Sequence, residues 1–435
     1  MSDIAAFPYT SSSTDLERTY QKVTRKIVPL LFLCYLLAYL DRINIGYAQL
    51  QMRFDLHFSD AIYGLGASMF FVGYMLFEIP SNVLLKKIGA RKTMLRIMLC
   101  WGVVSMGTLF VANPLEFYVA RFFLGVFEAG FFPGILFYLT LWFPADRRAR
   151  VVAFFMAATV AAGLISGPVS GYLLQHMNGV HGLRGWQWMF LLEGLPTVFL
   201  GIATYLLLVD QPSAARWLSA AEKDAIARDL AENSRSAPAE TTHVRDVLRD
   251  LRVFRLAALY FAMNCAAYAL SFWMPSMIER AGAVGLQRIG LLSLIPYACG
   301  IVAMIWYSRH SDRTRERRWH FAFAVLLCAV ALSFSNWTQG SLWTSIALVS
   351  VALAAVISSF PVFWAVATSV LRRESMAVGI AIVTTLGAVS GIICPYAIGL
   401  IKTSTGSLDA GLYSCSVLLL IASVVMLFMK DDPRG

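Results

Sequence analysis

The chain has 435 residues, of which 58% are hydrophobic and only 14% charged, and its formal net charge is +10. Soluble domains average about 25% charged residues, so this composition excludes a cytosolic enzyme, a disordered chain and a disulfide scaffold, and leaves a polytopic membrane protein. The seven cysteines stand singly in apolar stretches without a CxxC or Cys/His cluster, so they read as small buried hydrophobes and not as metal ligands.

A membrane-spanning helix needs about 20 mostly apolar residues. After a polar tail over 1–26 with no cleavable signal pattern, the qualifying stretches are 27–48, 60–84, 92–112, 115–142, 151–174 and 187–209. A polar segment over 210–252 follows, with a short amphipathic stretch from Ser219 to Glu232. Then come 253–277, 286–307, 320–336, 341–370, 375–401 and 410–429, and a tail over 430–435. The prediction is an all-α membrane protein of twelve spans, divided into six-helix bundles over 27–209 and 253–429. An even number of spans puts both termini on one side.

Basic residues say which side. Lys86, Lys87, Arg91 and Lys92, then Arg147, Arg148 and Arg150, then Arg309, Arg313, Arg315, Arg317 and Arg318 crowd the loops that share a side with the termini. The opposite loops carry only Arg53, Arg184, Arg280, Arg288 and Lys402. Lys and Arg accumulate in cytoplasmic loops, so both termini are expected in the cytoplasm. The positive charge is then an orientation device, not a nucleic-acid surface.

The two halves echo each other. Arg147-Arg148 after the fourth span recurs as Arg372-Arg373 after the tenth, and the loop around Lys86-Lys87 recurs around Asp312-Arg313 at nearly the same offset. Transporters built from such repeats hold their substrate between the repeats near the bilayer midplane.

Ionisable residues inside spans cost roughly 2.5–3.5 kcal/mol each at a helix centre, so they face the bundle interior and mark function. Here they are Asp41 and Arg42 in the first span, Glu78 in the second, Arg121 and Glu128 in the fourth, and Glu193 in the sixth. Arg121 and Glu128 are seven residues apart and share a helix face, with Gly125 between them allowing close approach. Asp41 and Arg42 diverge by about 100° around their helix. The expected arrangement has Asp41 and Glu128 inside the bundle near Arg121, with Arg42 on the cavity wall. A guanidinium is a planar fork suited to a carboxylate. An organic anion binding Arg121 draws that cation away from the neighbouring acids and favours their protonation, which couples the anion to protons. Glu78 and Glu193 are assigned structural or gating roles, Glu78 by pairing with the basic loop that follows it.

The fifth span carries Gly163, Gly167 and Gly171 on one face beside Pro168, a pattern for close packing with a kink. In the second half the in-span charges give way to aromatics. Tyr268, Tyr297 and Trp364 lie deep enough either to line a pocket or to fill the core, and Thr384 offers a hydroxyl that either serves a ligand or bonds back to its own helix. No P-loop, HExxH, GxSxG or dinucleotide fingerprint is present, so the chain is read as a non-enzyme without a cofactor, driven by gradients and not by ATP.

Several of these segments resemble the major facilitator superfamily and, within it, the anion:cation symporter family. The most specific is Arg121-Phe-Phe-Leu-Gly125-Val-Phe-Glu128-Ala-Gly130-Phe-Phe-Pro133-Gly134 with Tyr138-Leu-Thr-Leu-Trp142-Phe-Pro144. Others are Leu40-Asp41-Arg42-Ile-Asn44, Glu78-Ile-Pro80-Ser-Asn82, Ser311-Asp312-Arg313, and Tyr268 with Phe272-Trp273-Met-Pro275. The resemblance runs from about 25 to 430. It implies a monomeric permease of the bacterial inner membrane that imports a sugar acid, dicarboxylate or aromatic carboxylate with protons. It further implies Arg121 and Arg42 as anion contacts, Tyr39 and Tyr74 as cavity tyrosines, and Asp41 and Glu128 as the proton-titrating acids. The loop residues Lys86, Lys87, Arg91, Asp312 and Arg313 and the Gly163, Gly167, Pro168 face take gating or structural roles. Three features depart from the family pattern: Gly163-x-x-x-Gly167-Pro168 is similar in part to an antiporter motif, which leaves anion exchange or export as the alternative to proton symport; Asn82 and Lys86 replace Gly and Asp; and Thr384 and Ala388 stand where sugar-acid permeases place asparagines. The loss of amides favours a less hydroxylated or aromatic acid.

Overall fold

The computed structural model, which describes residues 13–235, 247–334, 340–371 and 375–429, has twelve candidate membrane spans. Arg372-Arg373, the tail 430–435 and parts of the N-terminal tail and of the 210–252 segment lie outside the described residues. In chain order the helices are α1 (Ser13–Ile43), α2 (Ile45–Asp55), α3 (Asp60–Ile88), α4 (Ala90–Gly107), α5 (Pro114–Glu128), α6 (Phe131–Thr140), α7 (Ala145–His176), α8 (Gly185–Leu207) and α9 (Ala220–Arg235). They continue as α10 (Leu251–Arg280), α11 (Leu286–Thr314), α12 (Arg317–Phe334), α13 (Leu342–Val370), α14 (Met376–Thr405) and α15 (Asp409–Phe428).

Local sequence sets the ends. The Ser59 hydroxyl accepts from the Ile62 N–H at 3.2 Å to open α3, and the Asn113 side chain accepts from the Glu116 N–H at 3.0 Å to open α5, with Pro114 in the first turn. The α1 helix starts at Ser13, well inside the polar tail, because apolarity limits only the membrane-crossing part and no proline intervenes before Pro29.

Two spans are discontinuous. The first is divided at Asn44, between α1 and α2. The fourth, read from sequence as one stretch, breaks directly after Glu128: Ala129 is extended and Gly130 is left-handed at φ 83°. Only a residue without a Cβ takes that conformation cheaply, and a Cβ there would also press on the Ser81 side chain. Pro133, lacking an N–H, cannot bond back across the break.

Within the first six spans α4 packs on α8, α3 on α5, and α1 on α7; within the last six α12 packs on α13 and α15, and α10 on α14. Glycines bring the two groups together along two seams. Gly64 and Gly399 let the backbones of α3 and α14 touch, and Gly167, Gly171 and Gly290 do the same for α7 and α11. The perimeter exposes Leu76, Ile79, Phe110, Phe199 and Phe428, as expected where the solvent is hydrocarbon. The α9 helix lies where the amphipathic stretch predicts it. Its Ile226 is fully buried, Glu222 pairs with Lys22 at 3.0 Å, and Asp229 accepts from the Tyr20 hydroxyl at 2.7 Å.

Candidate functional site

The in-span charges converge inside the first six helices, but not in the pairs the helix faces suggested. Glu128 forms its ion pair with Arg42, not with Arg121. Arg42 sits over an aromatic floor, its guanidinium carbon 5.4 Å from the Tyr39 ring centroid, 5.1 Å from Phe70 and 5.7 Å from Tyr74. A planar cation held on ring faces is well placed by charge and geometry. Tyr268, stacked on Phe272, lies within electrostatic reach of Arg42 from the opposite half, so the chamber is bounded by both groups of helices.

Arg121 is the unusual member. Its side chain is 1% exposed, and none of its three guanidinium nitrogens has a hydrogen-bond partner among the described residues. Its carbon lies 5.2 Å from the Phe70 centroid, so one phenyl ring is shared with Arg42. Asp41, Tyr63, Glu128 and Arg42 are the ionisable groups around it. A buried guanidinium with open donors is costly unless an acceptor meets it. Gly125, one turn away, serves helix packing: a Cβ there would strike the Phe70 carbonyl and the Tyr74 amide of α3.

Asp41 turns away from the arginines. It accepts from the Trp101 indole N–H, the Ser105 hydroxyl at 2.7 Å and the Asn44 amide at 3.0 Å. That same Asn44 nitrogen donates at 2.8 Å to Glu193, which also accepts from Ser170 at 2.8 Å. Both carboxylates are buried, at 2% and 5% exposure. Close approach of α4 and α8 at Gly102 and Gly194 brings this polar cluster together.

The remaining predicted residues fall into distinct places. Glu78 makes no ion pair with the loop after it, because the cations there are engaged elsewhere or point outward. Arg91, for instance, donates to the Tyr205 carbonyl at 2.7 Å, while its backbone N–H meets Asp210 at 2.9 Å. Asp312 and Arg313 are exposed. Thr384 donates to the Ile380 carbonyl of its own helix at 2.9 Å, so its hydroxyl hydrogen is committed and only its lone pairs are open to a ligand. Trp364 packs edge-on against Tyr260. Gly163 abuts the Tyr297 ring, Gly167 the Gly290 carbonyl, and Pro168 lies within α7 directly after these contacts.

Sequence reasoning gave no role to Phe70, Trp101, Ser105 or Ser170. Asn44 was visible only as part of a motif, and Glu193 carried the right signal, an acid inside a span, but no visible partner.

The chamber is sealed at the end remote from the termini. Arg53 pairs with Glu279 at 2.7 Å and Lys402 with Asp60 at 2.8 Å, each across the two groups of helices. Ser276 bonds Gln49 at 3.3 Å, and the Tyr63 hydroxyl donates to the Phe272 carbonyl at 3.1 Å. Among the described residues no hydrogen bond joins the two groups at the end where α1 begins and α15 stops.

Residues 31–395 match the profile of the Major Facilitator Superfamily. A putative tartrate transporter of Agrobacterium vitis is 42% identical over 97% of this chain and 94% of its own length. A putative metabolite transport protein of Pseudomonas putida is 40% identical over 94% and 93%, and a quinolone resistance transporter of Acinetobacter baumannii 40% identical over 93% of each. Among solved structures, the fold matches an inward-open xylose transporter of E. coli with a TM-score of 0.75 at 14% identity, covering 95% of this chain and 98% of that one.

Proposed function

The chain belongs to the Major Facilitator Superfamily, and on that premise we propose that it imports a small organic carboxylate by proton symport across the bacterial inner membrane, with both termini cytoplasmic. It is a transporter and not an enzyme, and its relatives are transporters of tartrate and other metabolites.

The observation that carries the reading is the buried Arg121 fork with three nitrogens unpartnered. A substrate carboxylate docks there in two parallel charge-assisted bonds, with Arg42 and the tyrosines Tyr39, Tyr74 and Tyr268 around it. The anion takes Arg121's field from Asp41 and adds negative charge beside the Arg42–Glu128 pair, so protons join the acids as substrate enters. Protons and substrate leave together when the chamber opens to the lower-concentration side. With amides absent near Thr384, the fitting substrates are acids with few hydroxyls or an aromatic ring.

The test is uptake of a panel of radiolabelled sugar acids, dicarboxylates and aromatic acids into proteoliposomes, with and without an inward proton gradient. Arg121→Ala should lose at least about 100-fold of transport while still inserting, and Arg121→Lys should recover part of it. Normal uptake by Arg121→Ala refutes the site.

One observation favours the reverse direction, namely the 40% identity to the quinolone resistance transporter. Quinolones are aromatic carboxylic acids, so the same arginine would serve. Accumulation driven only by an outward-directed proton gradient would select that reading.

A further inference from the structure

The core of the first six spans holds three buried carboxylates, on Asp41, Glu128 and Glu193, against two guanidinium groups, on Arg42 and Arg121. Arg42 is committed to Glu128. Asp41 and Glu193 are then joined through a single amide nitrogen, that of Asn44, at 3.0 and 2.8 Å. Neither has a Lys, Arg or His nitrogen within ion-pair distance among the described residues; every group that touches them is a neutral donor.

We propose that Asp41 and Glu193, held together by the Asn44 amide, form one proton-binding unit in which either carboxylate can hold the proton that drives transport. This rests on the symport reading above and adds Glu193, a residue not facing the substrate, to the coupling machinery.

Two carboxylates bridged by one donor, with no cation at ion-pair distance, titrate as a coupled pair and not as two independent acids. The surroundings allow it without rearrangement. The Ser170 hydroxyl donates to an ionised Glu193 and accepts from a protonated one, so the bond reverses direction with no heavy atom moving. Every neighbouring element is accounted for. Around Glu193 on α8, α1 supplies Asp41, α2 supplies Tyr47 and α7 supplies the Ser170 hydroxyl, while the ionisable residues of α4, Arg91, Lys92, Arg96 and Cys100, all precede Gly102, where α4 meets Gly194. Around Asp41, α5 adds Arg121 and Glu128. Arg121 is the cation that stabilises the deprotonated pair, and it is the one an incoming anion takes.

The experiment compares wild type and Glu193→Gln in proteoliposomes, using the best acid of the panel, in two modes. Gradient-driven accumulation is measured against external pH, with protons taken up per anion, and counterflow is measured at equal pH on both sides. Removing the second charge leaves Asp41 without a like-charged neighbour, so the midpoint of accumulation should move to acid by about one pH unit or more, while counterflow persists. A purely structural Glu193 leaves the midpoint where it is, because glutamine keeps the bonds; superimposable pH profiles overturn the proposal. Should Glu193→Gln not fold, Ser170→Ala removes one donor from the ionised carboxylate and should shift the midpoint to alkaline, and no shift overturns the proposal equally. A wild type that shows counterflow but no accumulation under any pH gradient overturns the symport reading instead, and this proposal with it.

Discussion

The seal remote from the termini rests on glycine as much as on charge, and that gives a quantitative prediction. On Gly290 of α11 a Cβ would overlap the Gly167 carbonyl of α7, a backbone atom that cannot rotate away. On Gly300, ten residues along the same helix, a Cβ meets only the end of the Ile357 side chain at 3.0 Å, which has rotamer freedom. Overpacking a close contact costs about 1–3 kcal/mol. Because the contact exists only while the seam is closed, the cost falls on the closed state and shifts the open-to-closed ratio by roughly 5- to 150-fold. Gly300→Ala should shift it little. The assay is the rate of maleimide labelling, in detergent, of a single cysteine at Ser276, which is 5% exposed beneath the seal beside Gln49, in a background cleared of native cysteines. Gly290→Ala should accelerate labelling by at least about fivefold over Gly300→Ala. Equal rates in the two variants would show that the glycine seam does not hold this end shut.

Further outcomes follow from the charge cluster. Removing Glu128 alone leaves the partly buried Arg42 uncompensated, so Glu128→Ala should cost up to about 3 kcal/mol, read as a lowered melting temperature in detergent. The double change Arg42→Ala/Glu128→Ala should cost less than the sum of the single ones, and strict additivity would deny the pair. Trp101→Phe keeps the ring but deletes the indole donor to the buried Asp41, which should lower stability by about 1.5–3 kcal/mol. A melting temperature equal to wild type would remove Trp101 from the network.

The class of molecule follows from the order of apolar and polar residues alone. Twelve apolar stretches dictate twelve helices because hydrocarbon offers no partner for an open backbone, and the model shows the helices where the stretches lie. The same reasoning placed the amphipathic helix at α9 and marked Asp41, Arg42, Arg121 and Glu128 as interior, since a charge facing lipid is too costly to persist; all four are buried or partly so. What it did not determine was who pairs with whom. Helical periodicity fixes faces within one element, and on that basis Arg121 and Glu128 share a face of α5. Which guanidinium reaches Glu128 depends on how α1 lies against α5, a relation between two helices; Gly125 for its part seats α5 on the α3 backbone. Glu193 meets Asp41 only because Gly102 and Gly194 draw α4 and α8 together and Asn44 falls between the acids. Those distances belong to contacts between helices far apart in the chain, and no local pattern encodes them.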